Sequence, residues 1–227
     1  MALNQPFTTV PTSTTNVDFK DLLAKTGYIT YYLANGGSSP DYIWTTNTSV
    51  YSQFRKTYSN NDTVSITYVD TIALTADLEF LVPQNLKGDL FINVPCVSRP
   101  DASGHVPFRR ITVGIYHYDG STETQIGSDI NSGDLTGVED GAFTAEDIAY
   151  LLLPIASATH FSKGEFLRVK ITLACKNTSS RSTDSGIGHD PQNRDDINEH
   201  PTAGTRDKIF NDGFPTQLKM EVPFEVE

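Results

Sequence analysis

Histidine and carboxylate side chains are concentrated in one stretch, residues 189–200, with the sequence HDPQNRDDINEH. Imidazole nitrogens bind transition metals and carboxylate oxygens bind Ca²⁺, so a cluster of both types could hold a cation. The candidate ligands are His189, Asp190, Asp195, Asp196 and His200. The stretch lacks EF-hand spacing, because the sixth position counted from Asp190 is Asp195, where that loop needs glycine.

A turn-rich acidic loop explains the same stretch without a metal. Asp190-Pro191 is typical of the start of a turn. Arg194 lies in the middle of the stretch, where it would oppose a bound cation and could pair with a carboxylate. We therefore expect no cofactor, and Ca²⁺ is the alternative that this stretch leaves open.

Catalytic patterns are weak elsewhere in the chain. A nucleophile–histidine–acid site needs a Ser or Cys beside a His, and the sequence has five histidines but no Gly-x-Ser-x-Gly turn. The adjacent acids Glu139-Asp140 and Glu146-Asp147 would point to opposite sides of a strand, which does not suit a glycosidase pair. We expect that the protein is not an enzyme. A hydrolase would require a pocket that joins two histidines with carboxylates.

Aromatic side chains are the other residues that could bind a ligand. They could form a stacking platform for sugars, anchor a protein interface, or pack in the core, and the core should take about half of them. The candidates for these roles are Tyr31, Tyr32, Tyr42, Trp44, Tyr51, Tyr116 and Tyr118.

Composition excludes several classes of partner. The 227 residues include 28 Asp and Glu against 17 Lys and Arg, a net charge of −11, so phosphate backbones would be repelled and we expect no direct nucleic-acid binding. No apolar run is long enough to span a membrane, and the N-terminus lacks the pattern of a secretory signal, so we expect use without standard export. Cys96 and Cys175 are expected as buried thiols rather than a disulfide.

Apolar and polar residues alternate with a period of two in several segments, which predicts strands. The clearest are residues 64–69, 109–118, 165–175 and 216–226. Asp119-Gly120 predicts a hairpin turn after the second of them.

Other segments are less regular. Residues 145–153 fit a helix or a strand, and the surrounding strands favour a strand. We expect Pro95 and Pro154 to end strands, because proline cannot donate to a ladder. For the same reason, Pro223 should mark an edge strand or a position where its N–H would face out of the ladder.

These patterns predict an all-β protein, an antiparallel β-sandwich of jelly-roll type. An immunoglobulin-like sandwich would show the same alternation, so the alternation leaves the strand order open. Residues 1–25 would form an extended N-terminal arm with a short helix at 18–24, and residues 26–227 a single domain. A long loop at about 177–215 would precede the last strand. Because such segments often reach a neighbour, we expect arm and loop to contact another subunit. The candidate interface residues are Phe7, Val10, Tyr42, Trp44, Arg194, Ile209 and Phe210.

Several short segments resemble virion structural proteins of tailed bacteriophages and related viruses. They are the Pro/Thr-rich arm after Met-Ala, YIWTTN at 42–47 followed by VYS at 50–52, the hairpin at 112–126, FSKGEFLR at 161–168 and LKMEVPF at 218–224. The resemblance implies a β-sandwich that packs into a capsid, decorates it, or lies at the portal, neck or tail. It implies no catalytic residues.

The expected function is accordingly that of a non-enzymatic viral structural protein located in the virion. It would be a capsid, decoration, vertex or neck component, and its partners would be copies of itself and other virion proteins. A carbohydrate- or receptor-binding module, such as a spike or tail domain, is the alternative.

Overall fold

The structure is a computed structural model that describes residues 15–16, 26–35, 42–50, 56–100, 106–136, 145–194 and 214–225. These residues form strands and connecting loops and contain no helix. The predicted helix at 18–24 lies outside the described residues. The strands are β1 (Thr15–Asn16), β2 (Thr26–Asn35), β3 (Tyr42–Thr45), β4 (Lys56–Val64), β5 (Val69–Glu79), β6 (Gln84–Pro100), β7 (Pro107–Tyr118), β8 (Glu123–Asn131), β9 (Leu135–Thr136), β10 (Ala145–Phe161), β11 (Phe166–Asn177), β12 (Arg181–Gly188) and β13 (Lys219–Glu225).

Eight of the strands make two four-stranded antiparallel sheets. The first sheet has the order β10-β6-β13-β2, and the second has the order β5-β11-β7-β8. When these eight strands are numbered from one to eight along the chain, the first sheet has the order 6-3-8-1 and the second has the order 2-7-4-5, which is the strand order of a jelly roll. The predicted all-β sandwich is confirmed. The one parallel pairing in the described residues is a single contact of β3 with β5, at Ile43 and Asp77.

The core lies between the two sheets, where alternate side chains of each strand point inward. Burying each aliphatic side chain contributes on the order of 2 kcal/mol to stability. The first sheet supplies Leu90, Ile92 and Val94 of β6 and Leu151, Leu153 and Ile155 of β10, and the second supplies Leu74 and Ala76 of β5, Ile111, Val113 and Ile115 of β7, and Leu167, Val169 and Ile171 of β11.

The segment 145–153 is a strand, as predicted, because Leu151 and Leu153 alternate into the core and pair with β6. The hairpin predicted at Asp119-Gly120 is also present between β7 and β8. The Asp119 carboxylate accepts hydrogen bonds from the backbone N–H groups of Ser121 (2.8 Å) and Thr122 (2.6 Å), which lowers its pKa. Gly120 adopts a φ of 95°, which suits glycine at the turn.

Pro95, Pro154 and Pro223 lie inside strands. The sequence had instead predicted strand ends at the first two. Pro95 occupies a gap on one edge of β6, between the ladder with β13, which ends at Asn93, and the ladder with β12, which begins at Cys96. Pro154 lies in β10, the end strand of the first sheet. Of the two alternatives for Pro223, the edge strand is wrong, because β13 lies between β2 and β6. Pro223 pairs with β2 but not with β6, where the ladder shifts register between Glu221 and Phe224. Each proline therefore occupies a place where its missing N–H costs little.

The predicted loop at 177–215 contains a strand, β12, which pairs with β4 on one edge and with the end of β6 on the other. The sequence of β12, RSTDSGIG, has no alternation of apolar and polar residues, so this strand could not be predicted from hydrophobic periodicity. Its small side chains nevertheless lie buried, and Ser185 donates a 2.8 Å hydrogen bond to Thr71 on β5. Residues 181–188 therefore belong to the sheet and not to the predicted loop.

Cys96 and Cys175 are buried free thiols, as predicted. Burial raises their pKa values to about 12 and about 11. No helix in the described part of the chain is long and apolar enough to cross a membrane.

Candidate functional site

The outer surface of the first sheet carries a patch of apolar side chains, here called the aromatic face: Phe91, Tyr150 and Leu152, which are exposed, and Tyr28, which is half-buried. Phe91 and Leu152 are direct cross-strand partners on β6 and β10, and Tyr150 lies on the same side of β10 as Leu152. The rings of Tyr28 and Phe91 are 6.0 Å apart between centroids. Tyr150 is 70% exposed, Leu152 44% and Phe91 38%. Because these side chains are neighbours, they form a patch rather than scattered surface residues.

Polar side chains border the aromatic face on the β6 and β13 side. Asn93 pairs with Tyr150 across one strand boundary and with Lys219 across the other, and Phe91 pairs with Glu221. The Lys219 ammonium lies 3.5 Å from the Glu221 carboxylate. Phe91, Asn93, Lys219 and Glu221 line a shallow cavity of about 230 Å³. An apolar centre with a polar rim is the arrangement found in protein interfaces.

The outer surface of the second sheet, the charged face, has a different composition. Arg168 donates two 2.7 Å hydrogen bonds to the Asp77 carboxylate and one of 3.1 Å to Glu123. Its guanidinium also stacks 3.7 Å from the ring centre of Tyr118. Lys170 binds Glu123 as well and lies over the ring of Tyr116.

A second charged group continues this face. Arg110 and Lys176 each bind the Asp134 carboxylate at 2.6 Å, and both cations lie over the ring of Tyr68. The two cations lower the pKa of Asp134 far below its ordinary value. Tyr116 and Tyr118, predicted as candidates for a stacking platform, are instead occupied by the cations of this face. The charged face is therefore suited to contact with water, and the aromatic face is not.

A buried ion pair lies where the chain enters residues 195–213. Asp190 is fully buried, and its carboxylate accepts hydrogen bonds from Nε of Arg194 at 3.0 Å, from Nη2 at 2.9 Å and from the Arg194 backbone N–H at 2.7 Å. The Asp190 N–H donates to the Thr216 carbonyl at 2.9 Å, and the Thr216 N–H donates to Asn193 Oδ1 at 2.8 Å. The chain entering residues 195–213 and the chain leaving them are thus fixed to each other. We call these contacts the clamp.

Gly188 permits the close approach of the two chains in the clamp. A Cβ at this position would lie 2.9 Å from both the Cα and the carbonyl oxygen of Thr216. These are backbone atoms, so a side chain here would push the two segments apart.

His189 lies fully buried beside the clamp. Its Nε2 is 3.0 Å from the Thr57 hydroxyl, which is itself 2.5 Å from the Tyr42 hydroxyl. The rings of Tyr42 and His189 meet edge to face with centroids 5.2 Å apart. Nδ1 is buried and has no hydrogen-bond partner among the described residues. Burial favours the neutral imidazole and lowers the pKa of His189 to about 4.

Two of the predicted metal ligands lie within the described residues, and the other three lie outside them. His189 and Asp190 are described, and Arg194 occupies both carboxylate oxygens of Asp190. Asp195, Asp196 and His200 lie outside the described residues. Within the described ranges, no group of three or more His, Cys, Asp or Glu side chains could hold a metal ion. A Ca²⁺ site that includes residues 195–200 stays a prediction.

Three of the predicted interface residues are described. Trp44 is buried in the core, and its indole N–H donates to the Ala76 carbonyl at 3.4 Å, so it is not available as a surface anchor. Tyr42 is half-buried against the core and His189. Arg194 belongs to the clamp. Phe7, Val10, Ile209 and Phe210 lie outside the described residues.

The described histidines have separate polar partners. His117 Nε2 lies 2.9 Å from the Glu165 carboxylate, and His160 Nδ1 lies 2.8 Å from Asn85 Oδ1. His105 and His200 lie outside the described residues. The expectation that the protein is not an enzyme stays a prediction.

The aromatic face was not predicted from the sequence. A signal was present, because Leu90-Phe91-Ile92 and Tyr150-Leu151-Leu152-Leu153 are apolar without interruption. A strand exposed to water on one side alternates, so an uninterrupted apolar run indicates that both of its sides are covered.

Comparison with known proteins gives structural neighbours but no matching family model or curated protein. No protein-family model matches the sequence, and no curated protein matches it. A CocE/NonD family hydrolase from Staphylococcus aureus is 10% identical, with a TM-score of 0.43 over 95% of this chain and 37% of the hydrolase. The VP2 subviral particle of infectious bursal disease virus is 10% identical, with a TM-score of 0.27 over 76% of this chain and 35% of the viral chain. The T13 particle of that virus is 10% identical, with a TM-score of 0.29 over 95% of this chain and 58% of the viral one. This chain therefore spans less than two thirds of each neighbour, and the neighbours include viral particle proteins as well as a bacterial hydrolase.

Proposed function

We propose that the protein is a non-enzymatic viral structural protein that functions in the virion through contacts between its subunits. It would be a capsid component or a capsid-associated one, at a decoration, vertex or neck position. The observation that carries this proposal is the aromatic face, an apolar patch on one side of a rigid sandwich whose other side is charged. The jelly-roll fold is compatible with the role, since viral capsid domains and lectins both use it.

The aromatic face has the features of a surface that another molecule covers. Tyr28, Phe91, Tyr150 and Leu152 lie on a regular sheet, so docking would not require the backbone to rearrange. Tyrosine and phenylalanine are enriched at interfaces because they bury a large area and keep few rotamers to lose.

A second copy of the chain is the partner that fits best. In a twofold contact each surface meets itself, so a patch must be self-complementary. The apolar centre satisfies this condition, and the rim carries both signs, Lys219 and Glu221. Lys219 of one copy could pair with Glu221 of the other across such an axis.

The proposal is tested by the molar mass in solution, measured by light scattering over a range of protein concentrations. We expect a discrete oligomer that dissociates on dilution. A 25 kDa species at every concentration would contradict self-association through this face.

Salt should strengthen the association. Each chain carries a net charge of −11, so copies repel one another, and salt screens that repulsion while leaving apolar burial intact. Raising the ionic strength from about 0.05 M to about 0.3 M should lower the dissociation constant several-fold. Sedimentation equilibrium at the two salt concentrations measures this change. Weaker association in salt would indicate an interface held by ion pairs instead.

A carbohydrate- or receptor-binding module is the second candidate. The observation that favours it is the cavity of about 230 Å³, in which the Phe91 ring lies beside the amide of Asn93 and the charged groups of Lys219 and Glu221. A glycan array tests it. Binding that is lost in Asn93→Ala, by a protein that remains monomeric, would support this function over the first.

A further inference from the structure

An apolar groove opens at one end of the sandwich, between β2 and the end of β5, with a volume of about 530 Å³. Leu81 and Val82, in the loop after β5, are 69% and 57% exposed at its margin. The groove is lined by Ile29 and Tyr31 of β2, Leu78, Phe80, Leu81 and Val82 from β5 and its loop, and Phe224 of β13.

The groove lies beside a gap in the pairing of β2. On the edge of β2 that faces away from β13, β1 pairs with Tyr28 and Ile29, and β3 pairs with the stretch from Tyr32 to Asn35. Thr30 and Tyr31 lie between these two ladders, and in the described residues neither β1 nor β3 pairs with them.

The N-terminal arm leaves the described structure at this groove. Thr15 pairs with Ile29, a residue that lines the groove, and Asn16 pairs with Tyr28. Because the pairing is antiparallel, the chain preceding Thr15 is directed past Thr30 and Tyr31. An extended chain spans about 3.3 Å per residue, so Val10 can lie up to about 17 Å and Phe7 up to about 26 Å from Thr15, which is enough for both to reach the groove.

The chemistry of the arm matches that of the groove. Residues 1–14, MALNQPFTTVPTST, include Leu3, Phe7 and Val10 and contain no acidic residue. The rim of the groove carries Glu79 and Glu225. A neutral apolar segment is therefore compatible with the rim, whereas an acidic partner would be repelled.

We propose that residues 1–14 of the same chain bind in this groove, with Phe7 and Val10 as the anchoring side chains. Pro6 and Pro11 prevent a continuous ladder along β2, so side-chain burial provides the binding. In this proposal Phe7 and Val10 bind within their own chain. The prediction from the sequence was that they contact a neighbouring subunit. The inference holds whether or not the protein self-associates.

Disulfide trapping tests the proposal in the full chain. In Val10→Cys/Leu81→Cys, a disulfide can form only when the two Cα atoms come within about 7 Å. The control is Val10→Cys/Ile66→Cys. Ile66 is 72% exposed, similar to Leu81, but lies beyond the opposite end of β5, about 30 Å away along the strand. Cys96 and Cys175 are buried thiols with raised pKa values and should not compete.

At low protein concentration, we expect an intrachain disulfide that forms at least tenfold faster with Leu81→Cys than with Ile66→Cys. Equal rates would overturn the proposal. A disulfide-linked dimer as the main product would also overturn it, because the arm would then bind another copy.

A second measurement does not depend on engineered cysteines. Phe7→Ala/Val10→Ala should increase the fluorescence of an apolar dye by opening the groove, whereas Thr8→Ala/Thr9→Ala should not. An equal response of the two variants would also contradict the assignment.

Discussion

Replacement of Arg194 by methionine should lower the free energy of unfolding by about 3–5 kcal/mol, the usual cost of removing one partner of a buried ion pair. Asp190 is fully buried, and two of its hydrogen bonds come from the Arg194 guanidinium. Without that cation, the carboxylate would lose the charge that compensates its desolvation. The backbone N–H groups of Gln192 and Arg194 remain as donors, at 3.3 and 2.7 Å.

Urea unfolding at neutral pH measures this loss. The matched control is Lys163→Met, which removes an exposed cation from the turn before β11 and should change stability by less than about 0.5 kcal/mol. Asp190→Asn combined with Arg194→Met should be less destabilised than the sum of the single variants, because no unpaired charge remains. If Arg194→Met were as stable as the control, the clamp would not hold the two chain segments together.

Acidification from pH 6.5 to about pH 4 should remove about 3 kcal/mol of stability through His189 alone. Its pKa is about 4 in the folded protein, against an ordinary value of 6.5. Because the folded pKa is the lower one, the unfolded chain takes up a proton first as the pH falls. The stabilisation is therefore complete above about pH 6.5 and is lost as the pH falls toward 4.

Urea unfolding at a series of pH values, compared with His189→Gln, isolates this effect. The variant should be less stable at pH 7, and its stability should change less between pH 6.5 and 4.5. Glu123 and Glu165 also have lowered pKa values, so their effect on stability appears below the ordinary glutamate pKa of 4.5. They therefore do not contribute to the change between pH 6.5 and 4.5. His160→Gln, at an exposed position, should retain the slope of the unmodified protein. Identical slopes in all three proteins would show that His189 is not buried as described.

Much of the fold could be predicted, because a half-buried strand leaves a period of two in the sequence. Three of the four segments that alternate most clearly are strands with one side in the core, such as Phe166–Asn177, whereas residues 65–68 form the loop between β4 and β5. β12 could not be predicted, since its buried side chains are small and polar and its position depends on two distant strands. The place of Pro223 inside the sheet depends on a register shift that no local pattern encodes.

The candidate site was less predictable than the fold. Tyr28, Phe91 and Tyr150 come from three strands that are far apart in sequence, and only the strand order of the first sheet makes them neighbours. Trp44 looked like an interface anchor because tryptophan is enriched at interfaces, but the core holds it instead. The pairing of Arg194 with a carboxylate could be predicted, because the two partners are only four residues apart.

The most direct test of the proposed function is the molar mass of Tyr150→Lys/Leu152→Lys, measured by light scattering beside the unmodified protein. Both side chains are exposed, so the substitutions should leave the fold intact while placing two charges in the apolar patch. Ile66→Lys/Thr67→Lys makes the same change in charge at an exposed loop and serves as the control. We predict that the unmodified protein and the control form the same oligomer and that the variant of the aromatic face is a 25 kDa monomer. An oligomer of unchanged mass in the variant would contradict the account.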